Sequence, residues 1–425
     1  MAEDAVKHRN PGSVTDRRRS ADPFARKALA VAVGSRLVVF LVGFITSSTM
    51  RTHEVHPIMR FPAKAEVYGG WLGHLLNPWA HFDGVWFIHI ANEGYKVSNN
   101  TPAFFPLYPL LLRLGGYLAA GNYQLVGILL STVFFLAATA VLYRLVAVDL
   151  TPRIAFYSVV FLSLFPAGFF FQAVYSESLF LLAAVCCFLW ARRERWALAA
   201  LAGMLATMTR LAGLFLLIPM AVAYLHQYDR EDPKRDRPLL WFLLVPTGVA
   251  AYAAYLAVST GGVGGFGEAE RAWGRDPTFP PITIWRAAVK AYFGATQLLT
   301  GHGVPADPAY VGQTLAFIQR ETAIVNLVSF VALAGAVWAI CAAWRRLPIS
   351  YTLFGVCVIS LPLFAPRPQV PLMSMPRFIL VAFPVMVALA VISDDRPRLR
   401  WALVAVFAAG LVFLTGRFAL WLFVA

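Results

Sequence analysis

The segment His81-Phe-Asp-Gly-Val-Trp-Phe-Ile-His-Ile-Ala-Asn-Glu-Gly-Tyr95 gathers acidic, basic and aromatic side chains in a long gap between two apolar runs. Asp83 is taken as its working residue, since a carboxylate fixed at a helix start is already oriented for chemistry. The same residue suits an ordinary helix cap, with Gly94 closing the far end, and the two roles are compatible. His81, Trp86 and Glu93 are read as substrate-binding groups of this segment. Farther along, Gln172-Ala-Val-Tyr-Ser-Glu-Ser-Leu-Phe180 places Ser176 and Glu177 at the start of an apolar helix. A carboxylate costs about 2.5–3.5 kcal/mol at the membrane centre and less at its edge, so Glu177 is either a first-turn acid favoured by the helix dipole or a site residue. Thr207-Met-Thr-Arg-Leu-Ala-Gly213 breaks another apolar stretch and presents Arg210. Its planar fork fits a phosphate, or else an ion pair with Glu177 or Asp83. Arg377, just after Met375-Pro376, is a second candidate of the same kind.

Other groups carry less. Glu268, Glu270, Arg271, Arg275 and Asp276 stand near Trp273 and Phe279, a mixture that carbohydrate sites use and ordinary loops also contain. The glycine-rich run at 261–267 lacks the strand–turn–helix setting of a nucleotide loop. His53, His56, His74, His81 and His89 follow no standard ligand spacing, so no metal ligand is assigned and no cofactor is required; a loosely held divalent cation is left open.

The elements that must hold these residues are membrane helices. Of 425 residues, 59% are hydrophobic and 14% charged, and the mean hydropathy is +0.65. Apolar runs long enough to cross a bilayer as helices recur along the chain. Transmembrane β-barrels are excluded, since their strands alternate apolar and polar residues. The net charge of +14 lies in short Lys/Arg clusters between apolar runs, which orient a chain in a bilayer and do not indicate nucleic acid. Cys186, Cys187, Cys341 and Cys357 all fall inside apolar runs, so neither a disulfide framework nor a zinc site is expected.

Residues 1–27 read as a disordered, basic cytoplasmic tail, and 28–425 as a single membrane domain. Spans are expected at about 28–47, 123–145, 154–171, 174–191, 196–209, 211–225, 239–259, 322–344, 349–365, 377–393 and 401–422, eleven in all. This count puts every strong basic cluster on one side. Two long outer loops result: 48–122, holding the catalytic segment, and 260–321, contacting substrate, both with short interfacial helices. Arg36, in mid-span, must face protein, water or a partner charge, or snorkel to the edge.

Taken together, the 81–95 segment, Ala103-Phe-Phe-Pro-Leu-Tyr-Pro109, Tyr175-Ser-Glu-Ser-Leu-Phe180 and Thr209-Arg-Leu-Ala-Gly213 resemble the PIG-V family, which contains the mannosyltransferase adding the second mannose of GPI anchors and its bacterial relatives. The resemblance implies an all-α integral membrane glycosyltransferase of the GT-C type. It implies a polyprenyl-phosphate mannose donor, a lipid or glycan acceptor, and a site at the non-cytoplasmic face of the cell membrane. By the same resemblance Asp83 is the base, and transfer is an inverting displacement. The basic tail and abundant Ala, Arg and Gly point to a bacterial member, for which a GPI acceptor is absent. Two rivals share the polytopic pattern. A lipid-linked sugar flippase predicts inverted repeats or paired broken helices at mid-membrane, which the sequence does not display. A scaffold has no need of charged residues at several span mouths.

Overall fold

The computed structural model describes residues 22–50, 67–96, 100–227, 238–260, 265–301 and 313–424, and is helical throughout them. The tail residues before Asp22, His53, His56 and the basic run at 228–237 lie outside the described residues. Helix α1 (Pro23–Thr49) starts earlier than expected, because Asp22 caps it by accepting the Phe24 N–H at 3.0 Å. Arg26 and Lys27, assigned to the tail, therefore sit in its first turns. Short helices α2 (Gly70–Leu76) and α3 (Asp83–Glu93) follow, then α4 (Leu107–Leu118). Pro106 precedes α4 and Pro109 lies in its first turn, where a missing N–H costs nothing. With Leu110, Leu114, Tyr117 and Leu118 exposed, α4 has the shape of a helix lying in an interface.

The bundle continues through α5 (Tyr123–Asp149), α6 (Pro152–Leu164), α7 (Glu177–Arg192), α8 (Trp196–Thr207), α9 (Leu217–Gln227), α10 (Pro238–Phe242) and α11 (Leu244–Thr260). After α12 (Gly265–Ala272) and α13 (Pro280–Thr300) come α14 (Gln313–Ala343), α15 (Ile349–Ser360), α16 (Met375–Val381), α17 (Phe383–Ser393) and α18 (Pro397–Ala419). Helices occupy the expected positions, yet among the described residues five are long and apolar enough to cross a membrane, six if α16 and α17 form one bent span. Proline explains much of the shortening. Phe165, ahead of Pro166, is pushed to an extended conformation and ends α6 at Leu164, well short of 171. Pro362 likewise turns the end of α15 into a 3-10 segment, and Pro384 accompanies the 73° bend between α16 and α17.

The interior is rich in buried aromatic side chains. All of α17 is buried, as is most of α7. The outer helices expose Leu37, Leu41, Val133, Trp401 and Phe413, as helices facing lipid do. Arg36 neither snorkels nor meets a carboxylate. It is buried, donates to the Gly168 carbonyl at 2.6 Å and the Ser163 carbonyl at 3.3 Å, and lies 4.5 Å above the Phe135 ring. It thus satisfies backbone oxygens freed where α6 ends, at a depth where water is scarce.

The second loop departs from expectation. It folds into the 21-residue α13, started by Pro280 and Pro281 and stopped by Gly301 at φ +70°. Its buried stripe of Thr283, Ala287, Ala291 and Gly294 lets α14 approach closely: a Cβ on Gly294 would lie 2.8 Å from the Ala323 carbonyl.

Between α8 and α9 the chain makes a 3-10 segment, Leu211–Leu216, packed so tightly that a Cβ on Gly213 would meet the Thr207 nitrogen at 2.4 Å. Backbone cannot yield as a side-chain tip can. Gly213→Ala should therefore lower stability by about 1–3 kcal/mol, read as a reduced unfolding midpoint in detergent. An unchanged midpoint would contradict this packing.

Candidate active site

Asp83 opens α3, but its carboxylate caps nothing; Oδ2 instead accepts from Arg377 Nη1 at 2.5 Å. Arg377 Nε donates to Glu177 Oε1 at 2.7 Å, and Arg210 Nη2 donates to the same oxygen at 2.7 Å. Four charged side chains from α3, α7, α16 and the turn after α8 thus form one continuous chain. Gly94, at φ +84°, ends α3 as expected.

Tyr175 organises the acid end. Its hydroxyl accepts the Asp83 N–H at 3.1 Å and donates to the His81 carbonyl at 3.2 Å. Its ring lies under the Arg377 guanidinium, 4.8 Å from the centroid, with Phe170 at 5.1 Å. Between those two backbone groups Phe82 holds φ +53°, a strained state for a bulky residue, of the order of 1–3 kcal/mol. Packing of its ring against Phe418, Trp421 and Phe423 holds it there. Ser374, which precedes α16, is also left-handed at φ +65°. Both residues that launch the Asp83–Arg377 pair into helices are conformationally strained.

A cavity of about 510 Å³ opens beside this chain. Asp83, Ser176, Arg210 and Arg377 line it, as do Glu270, Arg271, Trp273 and Arg275 from α12 and the residues after it. Asp83 and Arg210 therefore open into one space. Glu177 is fully buried behind the wall and anchors both guanidiniums. Arg377, expected beside Arg210 on a phosphate, lines the cavity and is held between two carboxylates, Asp83 and Glu177. Among the described residues Oδ1 of Asp83 accepts no hydrogen bond, while Nη1 of Arg210 is buried without a partner.

Three expected contacts do not reach the cavity. His81 turns away: Nδ1 lies 3.0 Å from the Phe418 carbonyl and the ring stacks on Trp421 at 3.9 Å. Trp86 stands behind Trp273, edge to face at 5.5 Å, and supports that wall. Glu93 lies ten residues along α3, about 15 Å from Asp83, where it is exposed and pairs with Lys96 at 2.9 Å. Sequence reasoning missed Tyr175, Phe170 and Ser374; for Tyr175 the signal was a tyrosine two residues before a buried acid. Among the described residues no group of three or more His, Cys, Asp or Glu could hold a metal ion. The place between Asp83 and Glu177 where a cation would go is filled by Arg377.

Removing the central anion strands two cations. Glu177→Ala should cost about 3–5 kcal/mol, the penalty for breaking a buried pair from one side, seen as a large fall in thermal midpoint; a fall no greater than that of a surface variant would show the cluster to be solvated. Burial pushes the His81 imidazole from 6.5 down to about 3. Its stabilising contribution is complete above the unfolded value and is lost as pH falls through that window. Midpoints measured across it should decline in the wild type and less steeply in His81→Gln.

Residues 26–232 match the family described as Mannosyltransferase (PIG-V). GPI mannosyltransferase 2 of Drosophila melanogaster is 30% identical over 172 residues, which cover 36% of this chain and 37% of that protein. GPI alpha-1,6-mannosyltransferase 2 of Cricetulus griseus is 31% identical over 176 residues, 38% of this chain and 35% of that one. The matches thus span little more than a third of these relatives' own length. Among solved structures, the Archaeoglobus fulgidus oligosaccharyltransferase aligns over 92% of this chain and 52% of its own at a TM-score of 0.45 and 14% identity. Asp83, Tyr175, Glu177 and Arg210 all lie within residues 26–232, the part of the chain that matches the mannosyltransferase (PIG-V) family.

Proposed function

We propose that the protein transfers mannose from a polyprenyl-phosphate donor to a hydroxyl of a lipid or glycan acceptor, by direct displacement with inversion. The observation that carries this reading is the single cavity into which both Asp83 and Arg210 open. Its volume of about 510 Å³ lies within the usual range for small-ligand sites. Arg377 fixes one carboxylate oxygen of Asp83 and leaves Oδ1 for the acceptor hydroxyl. Arg210, with one nitrogen unpartnered, meets the donor phosphate. Leu361, Phe364 and Phe378 give the cavity an apolar flank suited to a prenyl chain.

The family match to residues 26–232 supports glycosyl transfer. Charge supports the orientation. Glu177 and Arg192 stand at opposite ends of α7, about 22 Å apart. At the Arg192 end, Asp149 pairs with Arg192 and bonds Tyr351, while Arg153 and Arg346 pair with Asp394 and Asp395. Basic connections thus gather away from the cavity, which supports a cytoplasmic side for them and the N-terminus and an extracytoplasmic side for the site.

Purified protein, given radiolabelled polyprenyl-phosphate mannose and a membrane lipid extract, should yield a labelled lipid product. Translocation of donor without product would instead support the flippase reading. Asp83→Asn should fold and insert normally while transfer falls by orders of magnitude, and Arg210→Glu should weaken donor binding most. Preserved turnover in the first, or unchanged donor affinity in the second, removes that residue from its role.

A further inference from the structure

We propose that Arg271, in the last turn of α12, and Arg275, just after it, complete the phosphate subsite with Arg210, so that the second outer segment and not α16 receives the leaving-group charge. This rests on the transferase reading above. Arg377 is the poorer candidate, since its charge is already shared between Glu177 and Asp83 through Nε and Nη1 at 2.7 and 2.5 Å. The cations left in the cavity wall are Arg210, Arg271 and Arg275. Arg275 is tethered by Glu270 at 3.2 Å, and its charge is close enough to repel that of Arg210. Arg271 has no ion pair among the described residues. Like charges brought together around an open space, one with a buried unpartnered nitrogen, make a site for an anion.

The charge balance names the anion. Around the cavity Arg210, Arg271, Arg275 and Arg377 face Asp83, Glu177 and Glu270, four guanidiniums against three carboxylates. One positive charge remains, which matches a sugar-bearing lipid phosphodiester, a monoanion. During transfer the bond from the sugar's anomeric carbon to the phosphate oxygen breaks, and its electron pair stays on that oxygen. The acceptor oxygen forms the new bond to that carbon and gives its proton to Asp83 Oδ1. Asp83 thereby loses a negative charge and the phosphate gains one. Negative charge moves from the Arg377 end of the cavity toward the Arg271 end, where cations are already in place.

The test uses the full chain in detergent with farnesyl phosphate as probe, binding being followed by quenching of tryptophan fluorescence, with farnesol and inorganic phosphate as controls. Wild type should bind farnesyl phosphate and ignore both controls. Arg271→Gln and Arg275→Gln should each weaken binding about tenfold or more, the usual loss for a charged hydrogen-bond partner, and Arg271→Lys should recover most of it. In turnover, the Gln variants should raise the donor KM and leave the acceptor KM unchanged. Binding within twofold of wild type in both Gln variants would overturn the subsite, as would farnesol binding as tightly as its phosphate. Inorganic phosphate competing on equal terms would overturn the lipid assignment. If the Gln variants lose farnesyl phosphate but no preparation transfers mannose, the subsite stands and the transferase reading falls. If transfer proceeds with donor KM unaltered in both, the reverse holds.

Discussion

One guanidinium joins the site. Arg377 reaches Asp83 with one nitrogen and Glu177 with another, and so ties α16 to α3 and α7 through residues 294 and 200 positions apart in sequence. In a buried setting such contacts are stable only as a set, because each member left alone is a charge without solvent. Two strained backbones stand next to the cluster. Phe82 and Ser374 lie where the chain turns into the helices that present Asp83 and Arg377. The conformation of Phe82 is held by aromatic packing and by the Tyr175 hydroxyl bridge across its neighbours.

A membrane bundle that needs such a cluster must break its helices to build it. The breaks come from proline at Pro166, Pro362 and Pro384, and each frees backbone groups that lipid cannot satisfy. The structure buries those groups in protein. Arg36 takes the carbonyls of Ser163 and Gly168, and Thr283 donates to the Leu363 carbonyl at 2.8 Å. The segment that Arg36 supports leads directly into Phe170, Tyr175 and Glu177. A cation in the middle of the first span therefore serves the site at a distance, by fixing the turn from which the site grows.

Local chemistry was legible in the sequence, and long-range pairing only in part. Asp83, Glu177 and Arg210 stood out because charge in an apolar chain demands a partner. The Arg210–Glu177 pair was one of two ion-pair alternatives the sequence offered for Arg210, but the Arg377–Asp83 contact leaves no local pattern. His81 and Glu93 were read as substrate contacts beside Asp83, but a helix start aims one side chain while the pitch of α3 carries Glu93 out of reach. The apolar runs located the helices; their true ends followed from prolines whose effect hydropathy does not register. The α13 hairpin was hidden because its buried stripe is made of small residues, which pack closely without raising hydrophobicity.

The division of the site across the chain bears on how specificity is built. Asp83 and Arg210 lie within residues 26–232, where the family resemblance is found. Arg377, Arg271 and Arg275 lie outside it. The proposed base is thus contributed by one half, and the group that aims it by the other. Because Arg377 and Glu177 hold Asp83 in a locally balanced array, changes in the α12 wall alter the cavity's net charge without disturbing the orientation of the acid. On the proposed reaction, substrate choice and proton transfer are separable within one cavity: a different α12 would select a different anion or glycan while the Asp83–Arg377–Glu177–Arg210 chain remains intact. Binding that strengthens as charge reaches a leaving phosphate accelerates a chemical step, whereas binding the resting donor more tightly does not. Under the proposed mechanism, cations on the α12 side would be placed for the first of these, because negative charge would accumulate on the phosphate only as the sugar departs.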